Sequence, residues 1–118
     1  MEDNVIKKKS FDFSVRIVKG YKYLTTKKRE FVLSKQLLRS GTSIGANIEE
    51  AIGGQSRKDF ISKFSIAYKE ARESKYWIRL LREVNYLTEE QAESLLDDCD
   101  EICKIISSIL ISSKNKDN

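Results

Sequence analysis

Tyr68, Arg72, Lys75, Arg79, Arg82 and Tyr86 recur at steps of four, three, four, three and four, which gathers them on one face of a helix. Four cations in a row can follow a phosphate backbone, and an aromatic ring at either end can stack a base. The same residues also suit an ordinary solvated face, with Lys69 placed to pair with Glu73 and Arg79 with Glu83. A third use is docking on the acidic last helix of a neighbouring copy. Binding of RNA or DNA is therefore one expectation for this row, and a structural role is the other. Two further basic runs, Lys7-Lys8-Lys9 and Lys27-Lys28-Arg29, lie near opposite ends of the first helical segment. Such runs solubilise a terminus, complement a helix end or join a phosphate-binding rim.

Other chemistries lack their parts. Glu49, Glu50, Glu70 and Glu73 could suggest a carboxylate-bridged metal bundle, but those sites draw on Glu-x-x-His pairs and the chain has no histidine. Ser40, Ser43 and Ser56 have no histidine base, and GTSIG does not sit in the strand-turn-helix setting of a nucleophile elbow. GANIEEAIGG is followed by no Gly-Lys-Ser/Thr and is not a phosphate loop. Cys99 and Cys103 share a helix face and could form half of a zinc site, with nothing nearby to complete it. The expectation is a protein without catalytic residues, metal or cofactor, with both cysteines as free thiols.

The elements that must position these residues are helical. The chain has 118 residues, no proline and five glycines, with 34% charged and 40% hydrophobic residues, enough for one helix-rich domain. Phe13, Ile17, Tyr21 and Leu24, with Val18 beside them, predict a first helix from about Phe11 to Thr25. Leu33, Leu37, Ile44, Ile48 and Ile52 predict a second from near Glu30 to about Ile52. Gly41 and Gly45 fall inside it, each costing about 1 kcal/mol against alanine. They either break the helix around residues 40–43 or let another helix approach closely. The apolar period stays in phase across them, so an unbroken helix is expected.

Gly53-Gly54 stops that helix, and Ser56 caps the next. Phe60, Phe64, Ala67, Ala71, Ser74, Ile78 and Leu81 then alternate in steps of four and three, a heptad seam that favours bundle packing. This third helix is expected to run to Tyr86. Thr88-Glu89-Glu90-Gln91 is a capping box. It opens a fourth helix whose Leu95, Leu96, Cys99, Ile102, Ile106, Ile109 and Leu110 turn inward, ending near Ser112. Arg39, Asn47 and Glu70 are read as structural polar contacts that fix register, with Arg39 or Asn47 donating to Glu70. Trp77, Tyr76, Phe31, Tyr23 and Tyr21 offer more aromatic surface than one small bundle hides, which suggests subunit contacts.

Charge is unevenly spread. Residues 1–29 hold nine Lys/Arg against three Asp/Glu, whereas residues 87–118 hold three against eight. A basic front and an acidic rear suggest complementary docking, within one chain or between copies. No apolar run approaches the roughly 20 residues needed to span a bilayer. The opening MEDNVIKKKS has no apolar stretch behind it and is not expected to be a signal peptide. The expected location is the cytoplasm.

The stretch RSGTSIGANIEEA followed by KDFISKFSIAYKEARESKYWIRLL resembles the bacterial 23S rRNA intervening-sequence proteins over residues 11–110. The accessory variability determinants of diversity-generating retroelements look like a related branch. The resemblance implies four-helix bundles arranged as a pentameric ring. In the retroelement branch it also implies a nucleic-acid-binding basic surface and a reverse transcriptase partner. The combined expectation is an all-α, antiparallel up-down-up-down four-helix bundle, one domain over residues 1–118 with tails at about 1–10 and 113–118, assembled as a homopentamer. Its expected role is non-enzymatic binding or scaffolding, with nucleic acid as ligand. The alternative is a protein–protein adaptor, such as a reverse transcriptase accessory subunit, that touches no nucleic acid.

Overall fold

Each apolar periodicity in the chain becomes one rod. The structure, a computed structural model, describes residues 2–115, with side chains from residue 4. Among the described residues there are four helices and no strand: α1 (Glu2–Thr26), α2 (Leu33–Ile52), α3 (Arg57–Glu83) and α4 (Glu89–Asn115). Cross-helix pairs give their directions. Lys7 meets Glu49 while Ile17 lies against Gly41, so residue numbers fall along α2 as they rise along α1. The same reversal holds for Lys63–Glu50 and Arg39–Glu70 between α2 and α3. Lys75–Asp100 and Arg82–Glu93 repeat it between α3 and α4, and α1 closes against α4 through Lys9–Glu101 and Arg16–Asp98. The product is an antiparallel bundle of 49 × 21 × 21 Å.

Phe13, Ile17, Leu24, Ile44, Ile48, Phe64, Ile78, Leu81, Ile102 and Ile106 fill the core. Burying each such side chain contributes about 1.5–3 kcal/mol relative to leaving it exposed. The α3 seam is buried from Phe64 through Leu81, with Phe60 half-buried at its start. Small residues bring the rods together. A methyl group on Gly41 would sit 2.8 Å from Ile17 Cγ1, and one on Gly45 would sit 3.3 Å from the Ser10 carbonyl oxygen. The glycines therefore lie within an unbroken α2 and give α1 its close approach. Across the other interface the Ser40 and Ser74 hydroxyls meet at 2.9 Å inside the core, and Ser74 also donates to the Glu70 carbonyl.

The ends depart from expectation. The expected tail over residues 1–10 is helical from Glu2, because Ile6 lies seven residues before Phe13 and is fully buried in the same core. Val18 faces solvent instead of joining the apolar line. Helix α2 starts at Leu33 rather than near Glu30. Arg29 turns the chain at φ 55°, and the buried Glu30 carboxylate accepts from the backbone N–H groups of Val32, Leu33 and Ser34. It caps α2 from outside. Helix α3 stops at Glu83, short of Tyr86, because Asn85 adopts φ 68° and Tyr86 N–H returns to the Leu81 carbonyl at 2.8 Å. Helix α4 continues past Ser112 to Asn115, and the rest of the expected tail, 116–118, lies outside the described residues. The Ser56 cap and the Thr88/Gln91 box form as the residue types predict.

Candidate functional site

The α3 seam fixes which side chains can face solvent. With Ala67, Ala71, Ser74 and Ile78 buried, the opposite side of the rod presents Lys69, Arg72, Tyr76 and Arg79. These four, with Glu73 and Lys75, surround a shallow depression of about 500 Å³.

The row of Tyr68, Arg72, Lys75, Arg79, Arg82 and Tyr86 does not form one open surface. Lys75 pairs with Asp100 of α4 at 2.6 Å, and that hydrogen bond raises its pKa against the opposing effect of partial burial. Arg82 pairs with Glu89 at 3.3 Å and Glu93 at 3.6 Å. Tyr68 and Tyr86 are half-buried against the core, and Tyr86 lies beyond the end of α3. Tyr68 lines a separate hollow with Cys103, Lys104 and Ile111 of α4. Steps of four and three stay in phase with the seam, so the row hugs the α3–α4 boundary. Only Arg72 and Arg79 of the six are exposed.

The other flank of the depression is closed by α2. Arg39 donates to Glu70 at 3.0 Å and also to Glu73, whose second donor is Trp77 Nε1 at 2.9 Å. The Trp77 hydrogen bond, with help from Arg39 and against partial burial, holds the Glu73 carboxyl below the usual range. Glu73 is thus engaged away from Lys69, its expected partner. Asn47 does not reach Glu70; it donates to the Ser43 carbonyl and hydroxyl on its own helix. Trp77 holds Tyr76 edge-on, with ring centroids 5.0 Å apart and planes at 74°.

The charged groups on both margins of the α3 surface are therefore engaged in ion pairs, with carboxylates in excess, and the cations in the middle are not. Among the described residues Lys69, Arg72 and Arg79 make no ion pair, and Tyr76 between them is 54% exposed. Lys69 and Tyr76 were legible in the sequence as the residues directly opposite the seam. The charge row drew attention away from them because cations near an acidic helix look like free cations until the partner is placed.

The basic front and acidic rear of the chain meet within one copy. Lys9 pairs with Glu101 at 2.8 Å and Arg16 with Asp98 at 2.5 Å. Lys7 meets Glu49 and Lys8 meets Asp12, whereas Lys27 and Lys28 make no ion pair among the described residues. Arg29 lies over the Phe31 ring at 5.8 Å. Exposed pairs of this kind contribute about 0–1 kcal/mol each and chiefly select which helices adjoin. The carboxylates considered for a metal centre are spoken for: Glu49 by Lys7, Glu50 by Lys63, and Glu70 and Glu73 by Arg39. Cys99 and Cys103 are free thiols whose pKa burial pushes up, so the nucleophilic thiolate is disfavoured at neutral pH. No helix among the described residues is long and apolar enough to cross a membrane.

Residues 2–108 match the family described as 23S rRNA-intervening sequence protein. A crystal structure at 1.70 Å resolution of a Bacteroides thetaiotaomicron VPI-5482 protein of unknown function, from the S23 ribosomal protein family, is 57% identical and has a TM-score of 0.92. That match covers 93% of this chain and 98% of the Bacteroides chain. No curated protein matches. The chain belongs to the 23S rRNA-intervening sequence protein family.

Proposed function

We propose that this chain is a non-enzymatic, self-assembling binding protein of the cytoplasm whose outer α3 face takes nucleic acid. The observation that carries the reading is a frame of ion-paired groups around a centre of cations that make no ion pair among the described residues. Lys75, Arg82, Glu70 and Glu73 are satisfied by neighbouring helices, while Lys69, Arg72 and Arg79 keep their charge for an external partner. An external polyanion that releases counterions on binding is the natural match for such a row. Both the family description and the family of the Bacteroides relative refer to ribosomal RNA or ribosomal proteins, which favours RNA. Free cysteines fit a reducing compartment.

Self-assembly is supported by a second surface. Phe11, Val15 and Val18 form an exposed row on α1, with Phe31 and Val32 exposed where α1 turns into α2. Contiguous apolar rows on soluble bundles mark contact sites. The pentameric ring implied by the family resemblance would repeat each α3 face five times, so that weak single-site binding gains by avidity. The rival reading uses the same apolar surfaces to seat a protein partner, such as a reverse transcriptase, with no direct contact to nucleic acid.

Fluorescence anisotropy with a short labelled RNA, titrated with salt, separates the two. Three phosphate contacts on a single strand give a log–log salt slope of about −2. Arg72→Glu with Arg79→Glu should lower affinity more than tenfold and flatten that slope by roughly 1.4. A matched reversal at Lys27 and Lys28 should do less. RNA binding by the α3 variant equal to that of the parent would reject the α3 face. Light scattering at micromolar concentration tests assembly, and a monomer there would reject the ring.

A further inference from the structure

We infer that the ligand of the α3 face is single-stranded nucleic acid, with one unpaired base stacked on Tyr76 and the flanking phosphates held by Arg72 and Arg79. The inference rests on the nucleic-acid reading above and sharpens it to a class. Tyr76 is 54% exposed in the lining of the shallow depression, among the only cations of that face left without a carboxylate among the described residues. Arg72 precedes it by one helical turn and Arg79 follows by nearly one, a separation of about 10 Å along the axis. Two long, flexible guanidinium side chains can grasp phosphates on either side of one splayed nucleotide across that span.

The ring is also held ready. Trp77 meets Tyr76 edge-on at 5.0 Å, Trp77 Nε1 is fixed by Glu73, and Glu73 is fixed by Arg39 of α2. This chain of contacts supports the side of the Trp77 ring and steadies a platform that would otherwise swing. A preset aromatic face loses less freedom when a base lands on it. Duplexes hide their base faces in the stack, so an exposed ring beside two cations gains nothing extra from them. Only unpaired bases offer a free π-face, and stacking of this kind tolerates any base.

The test compares a single-stranded oligoribonucleotide, the duplex of the same sequence, and an abasic strand of equal length, each titrated against the whole protein and two variants. Tyr76→Ala should weaken binding of the intact strand by about five- to 150-fold, the range for losing one base–aromatic stack. Tyr76→Phe should keep most of the affinity. The abasic strand should bind the parent about as weakly as the intact strand binds Tyr76→Ala, and Trp77 emission should shift only with the intact strand. Tyr76→Ala binding the intact strand within twofold of the parent, or duplex and abasic strand binding as well as the intact one, would overturn the inference. The broader reading survives that result as long as Arg72→Glu with Arg79→Glu still lowers affinity more than tenfold. Absence of binding to all three ligands removes both.

Discussion

Glycine-to-alanine exchange at two helix-interior positions should change stability in opposite directions. At Gly20 of α1 an added methyl group meets nothing within 4 Å, so only backbone entropy is at stake. Alanine should stabilise there by about 0.5–1 kcal/mol. At Gly41 the same methyl group would lie 2.8 Å and 2.9 Å from the two γ-carbons of Ile17. Ile17 is 1% exposed and β-branched, so it cannot swing its γ-carbons aside. Opening the contact to ordinary van der Waals distance means moving α1 away from α2 by most of an ångström. Overpacking of this kind costs about 1–3 kcal/mol, and two simultaneous clashes against a stiff side chain put Gly41 near the upper end. After the propensity gain is subtracted, Gly41→Ala should destabilise by about 1–2 kcal/mol.

Denaturant unfolding followed by circular dichroism reads both variants, which should differ by roughly 2 kcal/mol at unchanged m-value. Ile17→Ala removes the clashing atoms, so it should cost at least about 1 kcal/mol less in the Gly41→Ala background than in the parent. Gly41→Ala as stabilising as Gly20→Ala, or no coupling to Ile17, would refute close packing of α1 on α2.

The Glu30 cap should make stability fall with acid. Burial pushes its carboxyl up, but donation from the Leu33, Ser34 and Val32 N–H groups and the Ser34 side chain more than offsets this, holding it below its ordinary 4.5. A carboxylate lowered on folding stabilises fully above its unfolded pKa and loses that contribution as pH falls through the folded value. Glu30→Gln should therefore cost about 1–2 kcal/mol at pH 7, with the gap closing below about pH 4.5 in pH-dependent urea melts. A gap independent of pH would show that the charge is not engaged. The buried serine pair should be non-additive. Ser74→Ala strands Ser40, whose other acceptor is the Leu37 carbonyl at a long 3.5 Å, whereas Ser40→Ala leaves Ser74 bonded to Glu70. The first should cost about 1–2 kcal/mol and the second less, with the double variant below their sum. Strict additivity in thermal melts would mean that the hydroxyls do not bond each other.

The four helices were legible because each depends on near neighbours in the chain. Ser56 finds Asp59 N–H three residues on, and Thr88 and Gln91 satisfy one another across one turn. The α3 seam follows from the spacing of Phe64 to Leu81, and the unbroken α2 follows from an apolar period that stays in phase through Gly41 and Gly45. The start of α1 was missed because Val5-Ile6 is only a two-residue apolar pair beside Lys7-Lys8-Lys9, and only the core around Ile6 makes that turn worth ordering. The start of α2 was missed for a related reason: Glu30 is a good helix former, yet its carboxylate serves better as a cap.

The local pattern of side chains, by itself, determined the four rods, the caps of α3 and α4, most of the buried edges and the family to which they belong. Only the packed bundle decided which charges are available to a ligand. A cation's state depends on a carboxylate far away in sequence: Lys75 on Asp100, Arg82 on Glu93 and Arg39 on Glu70 and Glu73. Periodicity places a side chain on a face of its own helix, but it does not say which helix lies across from that face. Ion pairing acts across that gap, so it separated the engaged Lys75 and Arg82 from the open Lys69, Arg72 and Arg79.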